Sequence, residues 1–554
     1  MSNRIKISIA QLNPIVGDVP GNLKLVLSAL DKARADKCEL LVFSEMFLFG
    51  YPPEDLVLKP VVTDACEKAL EELQAELSET DPAILIGAPA RVEGHVRNSA
   101  FLLRAGWPLR RWDKHELPDY GVFDDSRVFV AGQLDDLCFE INDVRIGVAI
   151  CEDIWFRRVP ERIKEQKADL MLAINASPWR RTIHQERRTA FAAWESADLP
   201  YVFINQSGAQ DELIFDGASY AWTDADRHHW LLGDFICGQT SFEFDAKDKT
   251  FYLEPAAVPS EGLEADYLAA VTALRDYVEK NRFPGVVLGL SGGVDSALTA
   301  AIAVDALGPD RVWCVMLPYK YTSSESHEDA EACARALGVR YDTIAISQGV
   351  EAMTDMLGPS FEGREADTTE ENIQSRLRGV TLMALSNKFG HMVVTTGNKS
   401  EMAVGYATLY GDMCGGYNPL KDFYKTEVFQ LCEWRNLSDA LKLKGPAGEV
   451  IPKRIITKPP SAELREDQTD QDSLPAYEDL DDILRCLVDY EFSVRHIVER
   501  GHELATVKRI EHLLYIAEYK RRQSAPGPKI GPRNFGRDRR YPITSGWRDT
   551  FWQD

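Results

Sequence analysis

The sequence predicts a two-part α/β protein, with a mixed β-sheet domain in the first half and a doubly wound parallel sheet in the second. Its 554 residues are too many for one hydrophobic core. Apolar runs at 83–87 and 99–104 have no helical segment between them, which excludes a simple parallel β-α-β array in the first half. After residue 266, apolar runs alternate regularly with amphipathic segments, as in a doubly wound sheet.

The first domain is predicted over residues 1–245. Its strands and helices follow from short apolar runs and from segments with helical periodicity. This set predicts either one mixed sheet or two sheets covered by helices. The strands are predicted at 5–11, 40–43, 83–87, 99–104, 145–150, 169–174 and 201–205, and the helices at 23–37, 62–77 and about 186–197.

The second domain is predicted over residues 266–524, after a linker at 246–265 that is rich in Pro, Ser, Asp and Glu. The acidic stretch 463–482 predicts a solvated loop leading into a helix. Residues 525–554, rich in Gly, Pro and Arg, predict an extended C-terminal tail. Strands are predicted at 286–290, 311–317, 341–346 and 391–396, with helices near 296–307, 324–337 and 370–388.

Composition excludes several classes of protein. The chain is 45% hydrophobic and 27% charged, which is typical of a soluble globular protein, and it has no apolar run near the roughly 20 residues that span a bilayer. Its ten cysteines include no CxxC pair, which argues against a zinc ribbon or a disulfide framework. The net charge of -24 argues against nucleic acid as a partner. We therefore expect a cytoplasmic protein with no membrane partner.

A glycine-rich turn, SGGVDS, lies between an apolar run and a helical segment within residues 286–300. Such a turn directs backbone N–H groups and a helix N-terminus toward a phosphate. No lysine follows the glycines, so the turn is not the phosphate loop of kinases and GTPases. A plain structural turn is the alternative, but the order of strand, loop and helix favours phosphate binding. The candidate ATP-binding residues are Ser291, Gly292, Gly293, Asp295 and Ser296.

The SGGVDS turn resembles the pyrophosphate loop of the ATP-pyrophosphatases, which adenylate a substrate and release pyrophosphate. The resemblance implies an adenine-nucleotide α-hydrolase-like fold, which is a doubly wound parallel sheet. It identifies activation by ATP without identifying the substrate.

Three candidate catalytic residues in the first domain each follow or end an apolar run: Glu45, Lys114 and Cys151. Groups at strand ends are held rigidly and project into loops. A cysteine becomes a nucleophile if a cation and a base lower its thiol pKa. Glu45 can take the thiol proton, and Lys114 can stabilise the developing oxyanion. Cys151 by itself would more often be a buried structural cysteine.

In this order and context, the three residues resemble the Glu–Lys–Cys triad of the nitrilase superfamily. That resemblance implies an α-β-β-α sandwich, and GYPPEDL at 50–56 and LPDYGVFDD at 117–125 point to the glutamine amidotransferase branch. The resemblance implies that Tyr120 and Ser177 line the glutamine pocket. Arg181 is the candidate that binds the substrate carboxylate, with Arg180 as the alternative.

Three further stretches of the second domain carry candidate ligand-binding residues. On the predicted helix at 371–379, Arg376 and Arg378 point in different directions. We take Arg376 as the one that faces ATP; solvation of both is the alternative. Residues 395–401, TTGNKSE, place Thr396 and Glu401 at the end of a strand. Because hard oxygen ligands suit Mg²⁺, Glu401 and Asp295 are its candidate ligands across the triphosphate.

Residues 457–465, TKPPSAELR, supply Lys458 and Ser461 as candidate polyphosphate contacts. Together with LYGDMCGGYNPLKDFYKTEV at 409–428, these motifs resemble the NAD synthetases over about 270–524. That resemblance implies adenylation of the nicotinate carboxylate of deamido-NAD, followed by displacement of AMP by ammonia. It places Asp412, Lys425 and Glu401 at deamido-NAD.

With the nitrilase-type domain included, the chain is similar to glutamine-dependent NAD synthetases. The similarity implies ATP, deamido-NAD and glutamine as substrates, ammonia passed between two sites, and a homo-oligomer built on a synthetase-domain dimer. Another amide-forming ATP-pyrophosphatase is the first alternative, but it would lack the downstream motifs. An RNA-modifying pyrophosphatase is the second alternative, but it would show a basic face or a catalytic cysteine pair, and neither is evident in this sequence. A binding protein with decayed sites is the third alternative, and it is disfavoured because all the catalytic residues and the phosphate loop are intact.

Overall fold

A computed structural model describes residues 3–192, 199–223, 228–438, 443–466 and 468–550. The chain divides into two compact units, Met1–Glu261 and Gly262–Asp554. Within the described ranges, the helices are too short or too polar for any of them to cross a membrane.

The first unit contains two large sheets and a small hairpin. The seven-stranded sheet has the order β15-β14-β1-β2-β3-β4-β5, the six-stranded sheet has the order β13-β12-β9-β8-β7-β6, and β10 pairs with β11. The elements are β1 (Arg4–Gln11), α1 (Val19–Ala35), β2 (Leu40–Phe43), α2 (Pro60–Glu76), β3 (Ala83–Val92), β4 (His95–Leu103), β5 (Arg110–Asp113), β6 (Cys138–Ile141), β7 (Val144–Ile150), α3 (Arg158–Glu165), β8 (Leu170–Asn175), α4 (Ile183–Ala192), β9 (Tyr201–Asn205), β10 (Ser207–Gln210), β11 (Leu213–Asp216), β12 (Tyr220–Trp222), β13 (His228–Trp230), β14 (Gly238–Asp245) and β15 (Thr250–Tyr252).

Alternate side chains of β2 divide the apolar core of this unit into two layers. Leu40 and Val42 pack with apolar residues of β7, β8 and β9, whereas Leu41 and Phe43 pack with residues of α1 and α2. This alternation is the period of two expected of a strand buried on both faces. The predicted α-β-β-α sandwich is therefore confirmed.

All seven strands predicted for the first unit are present, but β5, β6 and β10 to β15 were not predicted. The predicted strands at 83–87 and 99–104 are longer and form one antiparallel hairpin, β3 with β4. The strand β15 lies within residues 246–265, the stretch predicted as a linker, and pairs with β14. Residues 193–197 of the predicted helix at 186–197 lie outside the described residues.

The second unit is built on a four-stranded parallel sheet of order β18-β17-β16-β19, with helices connecting the strands. Its doubly wound fold is confirmed. The elements are α5 (Gly262–Lys280), β16 (Val286–Gly289), α6 (Val294–Leu307), β17 (Val312–Met316), α7 (Ser324–Leu337), β18 (Arg340–Thr343), α8 (Ser347–Leu357), α9 (Thr368–Phe389), β19 (Met392–Val393), α10 (Lys399–Val404), α11 (Lys425–Leu437), α12 (Lys453–Thr457), α13 (Tyr477–Leu484), α14 (Val494–Glu499), α15 (Leu504–Ile516) and α16 (Glu518–Arg521).

The strand order reverses between β16 and β19, because β17 and β18 lie on one side of β16 and β19 lies on the other. Ligands of doubly wound folds bind at such a switch point, beyond the carboxyl ends of the strands. The SGGVDS turn follows β16, and TTGNKSE follows β19. The topology therefore brings the two motifs to one edge of the sheet.

The segment that follows α16 contains no helix or strand up to residue 550, and it is anchored near its start. The Asp422 carboxylate accepts hydrogen bonds from the backbone N–H groups of Ile530 and Gly531, both at 2.7 Å. Lys399 Nζ donates to the carbonyl oxygen of Arg533 at 2.7 Å. Lys399 and Asp422 form a buried ion pair, and their contacts fix the segment to the second unit.

Candidate active sites

Three strand ends of the first unit bring Glu45, Lys114 and Cys151 together. Glu45 lies two residues after β2, Lys114 directly follows β5, and Cys151 directly follows β7. They are almost fully buried, with exposed fractions of 0%, 1% and 6%. The turn that carries Glu45 passes so close to Gly87 that an added Cβ there would lie 2.2 Å from the Met46 nitrogen.

The Lys114 ammonium group lies between two carboxylates. Its Nζ donates to Glu45 Oε1 at 2.8 Å and to Asp125 Oδ2 at 2.7 Å, and the Tyr51 hydroxyl donates to Asp125 Oδ1 at 3.0 Å. Burial acts to lower the pKa of Lys114, but Asp125 and Glu45 outweigh it and hold the pKa well above its usual range. The site therefore contains a fixed positive charge.

The Cys151 thiol is buried, and the Glu45 carboxylate acts on its pKa. Burial first, and then the charge of Glu45, raise the pKa of this thiol well above its ordinary value, although Lys114 acts to lower it. In the resting site, desolvation of the thiolate outweighs the nearby cation, so the condition of a lowered thiol pKa is not met there. The thiol can lose its proton directly to Glu45 when it reacts.

The backbone around Cys151 fixes its direction. Its φ is +46°, in the left-handed region that non-glycine residues seldom adopt, and a short 3₁₀ helix starts there. Asp153 accepts hydrogen bonds from the backbone N–H groups of Ile150 at 3.0 Å, His115 at 2.9 Å and Glu116 at 2.8 Å. Asp153 thereby ties the loop after Lys114 to the turn that carries Cys151.

Tyr120, predicted at the glutamine pocket, donates its hydroxyl to Glu152 Oε1 at 3.0 Å. Burial raises the pKa of Glu152 to about 7, against the opposing effects of Lys114 and Tyr120. Arg180 pairs with Glu186, and Arg181 is exposed. Tyr120 is thus linked by a hydrogen bond to the residue that follows Cys151. The structure does not decide whether Arg180 or Arg181 would bind the substrate carboxylate.

Ser177, the other predicted pocket residue, lies at the end of a buried polar network. Its Oγ accepts a hydrogen bond from Arg187 Nη2 at 3.1 Å, and Arg187 forms a two-pronged ion pair with Asp216. The Ser177 backbone N–H donates to Asn205 Oδ1 at 2.9 Å. Next to it, the Ala176 N–H donates to Glu45 Oε2 at 2.8 Å, so the same loop orients the candidate base.

In the second unit, a cavity of about 300 Å³ opens at the carboxyl ends of β16 and β19. It collects the predicted residues of this unit with one exception. Arg376 is exposed and donates Nε to the Leu409 carbonyl oxygen at 3.2 Å, whereas Arg378 lines the cavity. The choice of Arg376 over Arg378 is corrected on this point. The predicted residues in the wall are Ser291, Gly292, Gly293, Asp295, Ser296, Thr396, Glu401, Asp412, Lys425, Lys458 and Ser461.

The SGGVDS turn is shaped by its glycines and by Ser296. Gly292 has φ +80°, and a Cβ added to it would lie 2.5 Å from the Ser326 carbonyl oxygen. Ser296 Oγ donates to the Gly293 carbonyl oxygen at 2.9 Å and accepts from the Ser291 N–H at 3.2 Å. The turn therefore admits no side chain at Gly292 and leads directly into α6.

Two carboxylates in the wall share one ammonium group. Lys425 Nζ donates to Asp295 Oδ2 at 2.5 Å and to Glu401 Oε1 at 3.2 Å. Asn398 Nδ2 donates to Asp295 Oδ1 at 2.8 Å, and Asn398 also caps α10, whose first turn carries Glu401. Burial opposes the charge on Lys425, but Asp295 and Glu401 outweigh it and raise the pKa of Lys425. Burial also raises the pKa of Glu401, with Asp295 adding to the effect.

This arrangement suits a cation that is completed by its substrate. The described residues contain no cluster of three or more His, Cys, Asp or Glu placed to hold a metal ion. Mg²⁺, however, is commonly held by one or two carboxylates together with substrate phosphates. Asp295 and Glu401 supply two such carboxylates beside the phosphate-loop motif, so the donor set fits that ion.

Asp412 is an exposed residue that lines the same cavity. Its Oδ1 accepts a hydrogen bond from the Thr408 N–H at 2.7 Å. Thr396 is half-buried in the wall, between the end of β19 and α10. The cavity therefore offers hydroxyl, amide and carboxylate groups around a glycine-lined turn.

Comparison with known proteins assigns both units. The carbon-nitrogen hydrolase family model matches residues 6–223, and the NAD synthase model matches residues 267–524. The glutamine-dependent NAD(+) synthetase of Rhodobacter capsulatus is 47% identical over 552 residues, covering 99% of this chain and 100% of the relative. The chain belongs to the family of glutamine-dependent NAD(+) synthetases. As a glutamine-dependent NAD(+) synthetase, it is a ligase of NAD biosynthesis with a glutaminase domain and a synthetase domain.

Other glutamine-dependent NAD(+) synthetases agree. The protein of Xanthomonas campestris is 44% identical over 562 residues, covering 99% of this chain and 98% of the relative. The solved structure from Acinetobacter baumannii, in complex with adenosine diphosphate, has a TM-score of 0.78 at 40% identity over 99% of both chains. The structure from Cytophaga hutchinsonii, at 22% identity over 98% of both chains, supports the fold with a TM-score of 0.81.

Three acidic residues of the first unit lie within the quoted motifs but were not predicted as site residues. Asp125 lies within the quoted run LPDYGVFDD, and Glu152 and Asp153 lie within ICEDIW. Each is nearly buried, which is uncommon for a carboxylate without a partner. Their positions in the motifs were visible in the sequence, but only the structure shows that they face Lys114, Tyr120 and the backbone of the Lys114 loop.

Proposed function

We propose that the chain makes NAD from deamido-NAD, ATP and glutamine, with ammonia released at Cys151 and consumed in the cavity beside Asp295. The observation that carries this proposal is the presence, in one chain, of a buried Glu45–Lys114–Cys151 cluster and a glycine-lined cavity that holds Asp295, Glu401 and Lys425. The first can open an amide, and the second can bind a nucleotide phosphate.

The test is product formation with each substrate omitted in turn. With all three substrates present, we expect NAD, AMP, pyrophosphate and glutamate in equal amounts. Omission of deamido-NAD should stop release of pyrophosphate, and replacement of glutamine by ammonium salt should restore NAD without glutamate. Pyrophosphate release in the absence of deamido-NAD, or with another carboxylic acid in preference to it, would assign a different acceptor.

In the proposed glutaminase reaction, Glu45 takes the Cys151 thiol proton as Sγ attacks the side-chain carbonyl carbon of glutamine. The Lys114 ammonium stabilises the negative charge on the carbonyl oxygen. The carbon–nitrogen bond breaks, Glu45 returns the proton to the leaving nitrogen, and ammonia departs from a thioester. Water then gives a proton to Glu45 and attacks the thioester carbon, which releases glutamate and restores the thiol.

Asp125 is proposed to position Lys114 for this reaction. Changing Asp125 to Asn removes one of the two anions that hold the ammonium. We expect kcat for glutamine hydrolysis to fall about 10²-fold, because displacement of a catalytic group by about 1 Å has an effect of that size. Ammonia-driven NAD formation should be unchanged. Tyr51→Phe, which removes only the hydroxyl bond to Asp125, should have a smaller effect; equal losses in the two variants would contradict this role.

Glu152 is proposed to bind the α-ammonium group of glutamine, because it is a buried carboxylate beside Cys151 whose side chain is held by Tyr120. The α-carboxylate would meet Arg180 or Arg181, and Ser177 would line the pocket. The pocket would thereby bind both charged ends of the substrate, while the neutral amide reaches the thiol.

The raised pKa of Glu152, about 7, predicts a pH dependence of glutamine use. The carboxylate that attracts the substrate is present above this pKa and is protonated below it. We expect kcat/KM for glutamine to rise about tenfold per pH unit up to pH 7 and then to level off. Glu152→Gln should remove this step and raise KM more than it lowers kcat. If the step persists in Glu152→Gln, another group is responsible for it.

In the proposed synthetase reaction, a carboxylate oxygen of deamido-NAD attacks the α-phosphorus of ATP and pyrophosphate leaves. Ammonia then attacks the carboxyl carbon of the acyl-adenylate, and AMP leaves. The SGGVDS turn, Thr396 and Lys458 would bind ATP, and Asp412 and Lys425 would lie at the dinucleotide. Asp295 and Glu401 would hold Mg²⁺, which neutralises phosphate charge when it is bound. Arg378, in the cavity wall, is the arginine that we now assign to the nucleotide.

We propose that ammonia passes between the two sites without release to solvent. Ammonia is a nucleophile only when neutral, and protection from water preserves both it and the acyl-adenylate. The test is a competition between unlabelled glutamine and excess ¹⁵N-ammonium at neutral pH. Protected transfer predicts mainly unlabelled NAD, whereas label in proportion to the free ammonium would contradict it.

A further inference from the structure

A carboxylate of the chain itself lies among the anion-binding groups of the nucleotide cavity. Glu463 Oε1 accepts hydrogen bonds from Ser323 Oγ and Ser326 Oγ, both at 2.8 Å, and from Lys458 Nζ at 3.1 Å. Ser326, Lys458 and Glu463 all line the cavity. The Ser326 backbone also touches Gly292 of the SGGVDS turn, where an added Cβ would lie 2.5 Å from the Ser326 oxygen. The carboxylate therefore lies next to the candidate phosphate loop.

The groups around this carboxylate are those that bind a phosphate group. Two hydroxyls and one ammonium converge on a single oxygen, and such charge-assisted hydrogen bonds are among the strongest in proteins. Lys458 Nζ also donates to Ser326 Oγ at 2.7 Å, so the donors form one connected group. Burial acts to raise the pKa of Glu463, but Ser326, Ser323 and Lys458 outweigh it, and the pKa is lowered. The group at this position is therefore an anion.

We propose that Ser323, Ser326 and Lys458 form a phosphate subsite of the cavity, and that Glu463 occupies it until a phosphate group of ATP or pyrophosphate displaces the carboxylate. The proposal rests on the assignment of the cavity to ATP. Ser323 and Ser326 would thereby join Lys458 as contacts of the polyphosphate, and Glu463 would compete with the phosphate group for these three residues. A serine hydroxyl has one O–H to donate, and both serines already donate to Glu463 Oε1, as Lys458 does. A phosphate oxygen that accepts these same hydrogen bonds must therefore take the place of the Glu463 carboxylate.

The backbone supports displacement of Glu463 rather than of the other acids. Asp295 and Glu401 lie in the first turns of helices α6 and α10 and are fixed by them. Glu463 lies outside the helices and strands, between α12 and α13, with φ +49°. A glutamate is rarely found in this left-handed region, so the ion-paired arrangement holds the loop in a less favoured conformation. Departure of the carboxylate would relieve this strain.

The decisive measurement is the affinity of the full-length chain for inorganic pyrophosphate with Mg²⁺, and separately for ATP with Mg²⁺, by calorimetry. Glu463→Gln removes the competing charge and should tighten pyrophosphate binding about tenfold, because the open subsite no longer has to be freed. Glu466→Gln is the matched control: it makes the same charge change three residues away, at an exposed side chain. It should leave the affinity within about twofold of the parent.

A combined variant tests whether the gain arises at the proposed subsite. Ser323→Ala and Ser326→Ala, made together in the Glu463→Gln protein, should remove the gain in affinity. Equal affinities in the parent and in Glu463→Gln, or weaker binding in Glu463→Gln, would overturn the displacement. Retention of the full gain in the combined variant would also overturn it, since the serines would then not bind phosphate. Absence of both ATP and pyrophosphate binding in the parent would overturn the proposed function together with the subsite.

Discussion

Replacement of Cys151 by alanine is expected to abolish NAD formation from glutamine while leaving NAD formation from ammonium salt close to that of the parent. The glutamine-driven rate should fall at least about 10⁴-fold, because no other group at the site can form the thioester. Cys151 is a buried residue directly after β7, and alanine differs from cysteine only by loss of the sulfur atom, so the substitution fits the same space. The measurement is NAD formation at saturating glutamine and at high ammonium.

Cys66→Ala provides the matched control for this variant. Cys66 is a fully buried thiol on α2 of the same unit, and burial alone raises its pKa to about 12. It should retain both activities. Loss of both activities in Cys151→Ala, in a protein that unfolds at the temperature of the parent, would contradict separate sites. Retention of glutamine-driven synthesis would show that Cys151 is not the nucleophile.

Patterns of apolar residues were sufficient to predict the strands that position both sites. The strands β2 and β9 have the predicted bounds, and β7 and β16 differ from prediction by one residue at one end. Strand ends are well defined by sequence here because buried strands appear as continuous apolar runs. The positions that follow β2, β7 and β16 could therefore be predicted, and with them Glu45, Cys151 and Asp295. Lys114 follows β5, whose sequence RRWD is not an apolar run and was not predicted as a strand.

Contacts between segments that are distant in sequence could not be predicted in the same way. Arg376 and Arg378 lie two residues apart on α9, and a helix turns about 200° over that interval. The sequence alone does not tell which of the two directions faces the sheet. Similarly, the acidic stretch at 463–482 was predicted to be a solvated loop, yet Glu463 and Asp470 line the cavity, because Lys458, Ser323 and Tyr477 bind their carboxylates.

The protonation of Cys151 shows why charge alone does not determine reactivity. From sequence, a cation and a base beside the cysteine were the condition for a lowered thiol pKa. In the structure, Lys114 is already paired with Glu45 and Asp125, and burial of the thiol has the larger effect. Prediction of a pKa requires the balance between desolvation and pairing. In this chain that balance depends on groups more than 100 residues apart in sequence, such as Glu45 and Cys151.

The second large effect is expected from Asp295→Asn, which should abolish NAD formation from both nitrogen sources. Asp295 joins the SGGVDS turn to Lys425 and Asn398, with donor distances of 2.5 and 2.8 Å. The amide cannot balance the buried Lys425 charge and is a poorer ligand for Mg²⁺ than a carboxylate. Loss of a preorganised electrostatic group at a reacting phosphate lowers the rate by about 10³-fold or more. The measurement is release of pyrophosphate and NAD.

Glutamate release distinguishes this variant from one that is merely misfolded. Since Cys151 lies in the other unit, Asp295→Asn should still hydrolyse glutamine. Asp310→Asn is the matched control: it makes the same change at an exposed side chain after α6, and it should retain every activity. The two central variants therefore predict unequal patterns. Cys151→Ala loses only the glutamine-driven route, and Asp295→Asn loses both routes to NAD but keeps the hydrolysis of glutamine. Ammonia-driven synthesis in Asp295→Asn at the rate of the parent would remove Asp295 from the adenylating site and leave the bond with Lys425 as a purely structural contact.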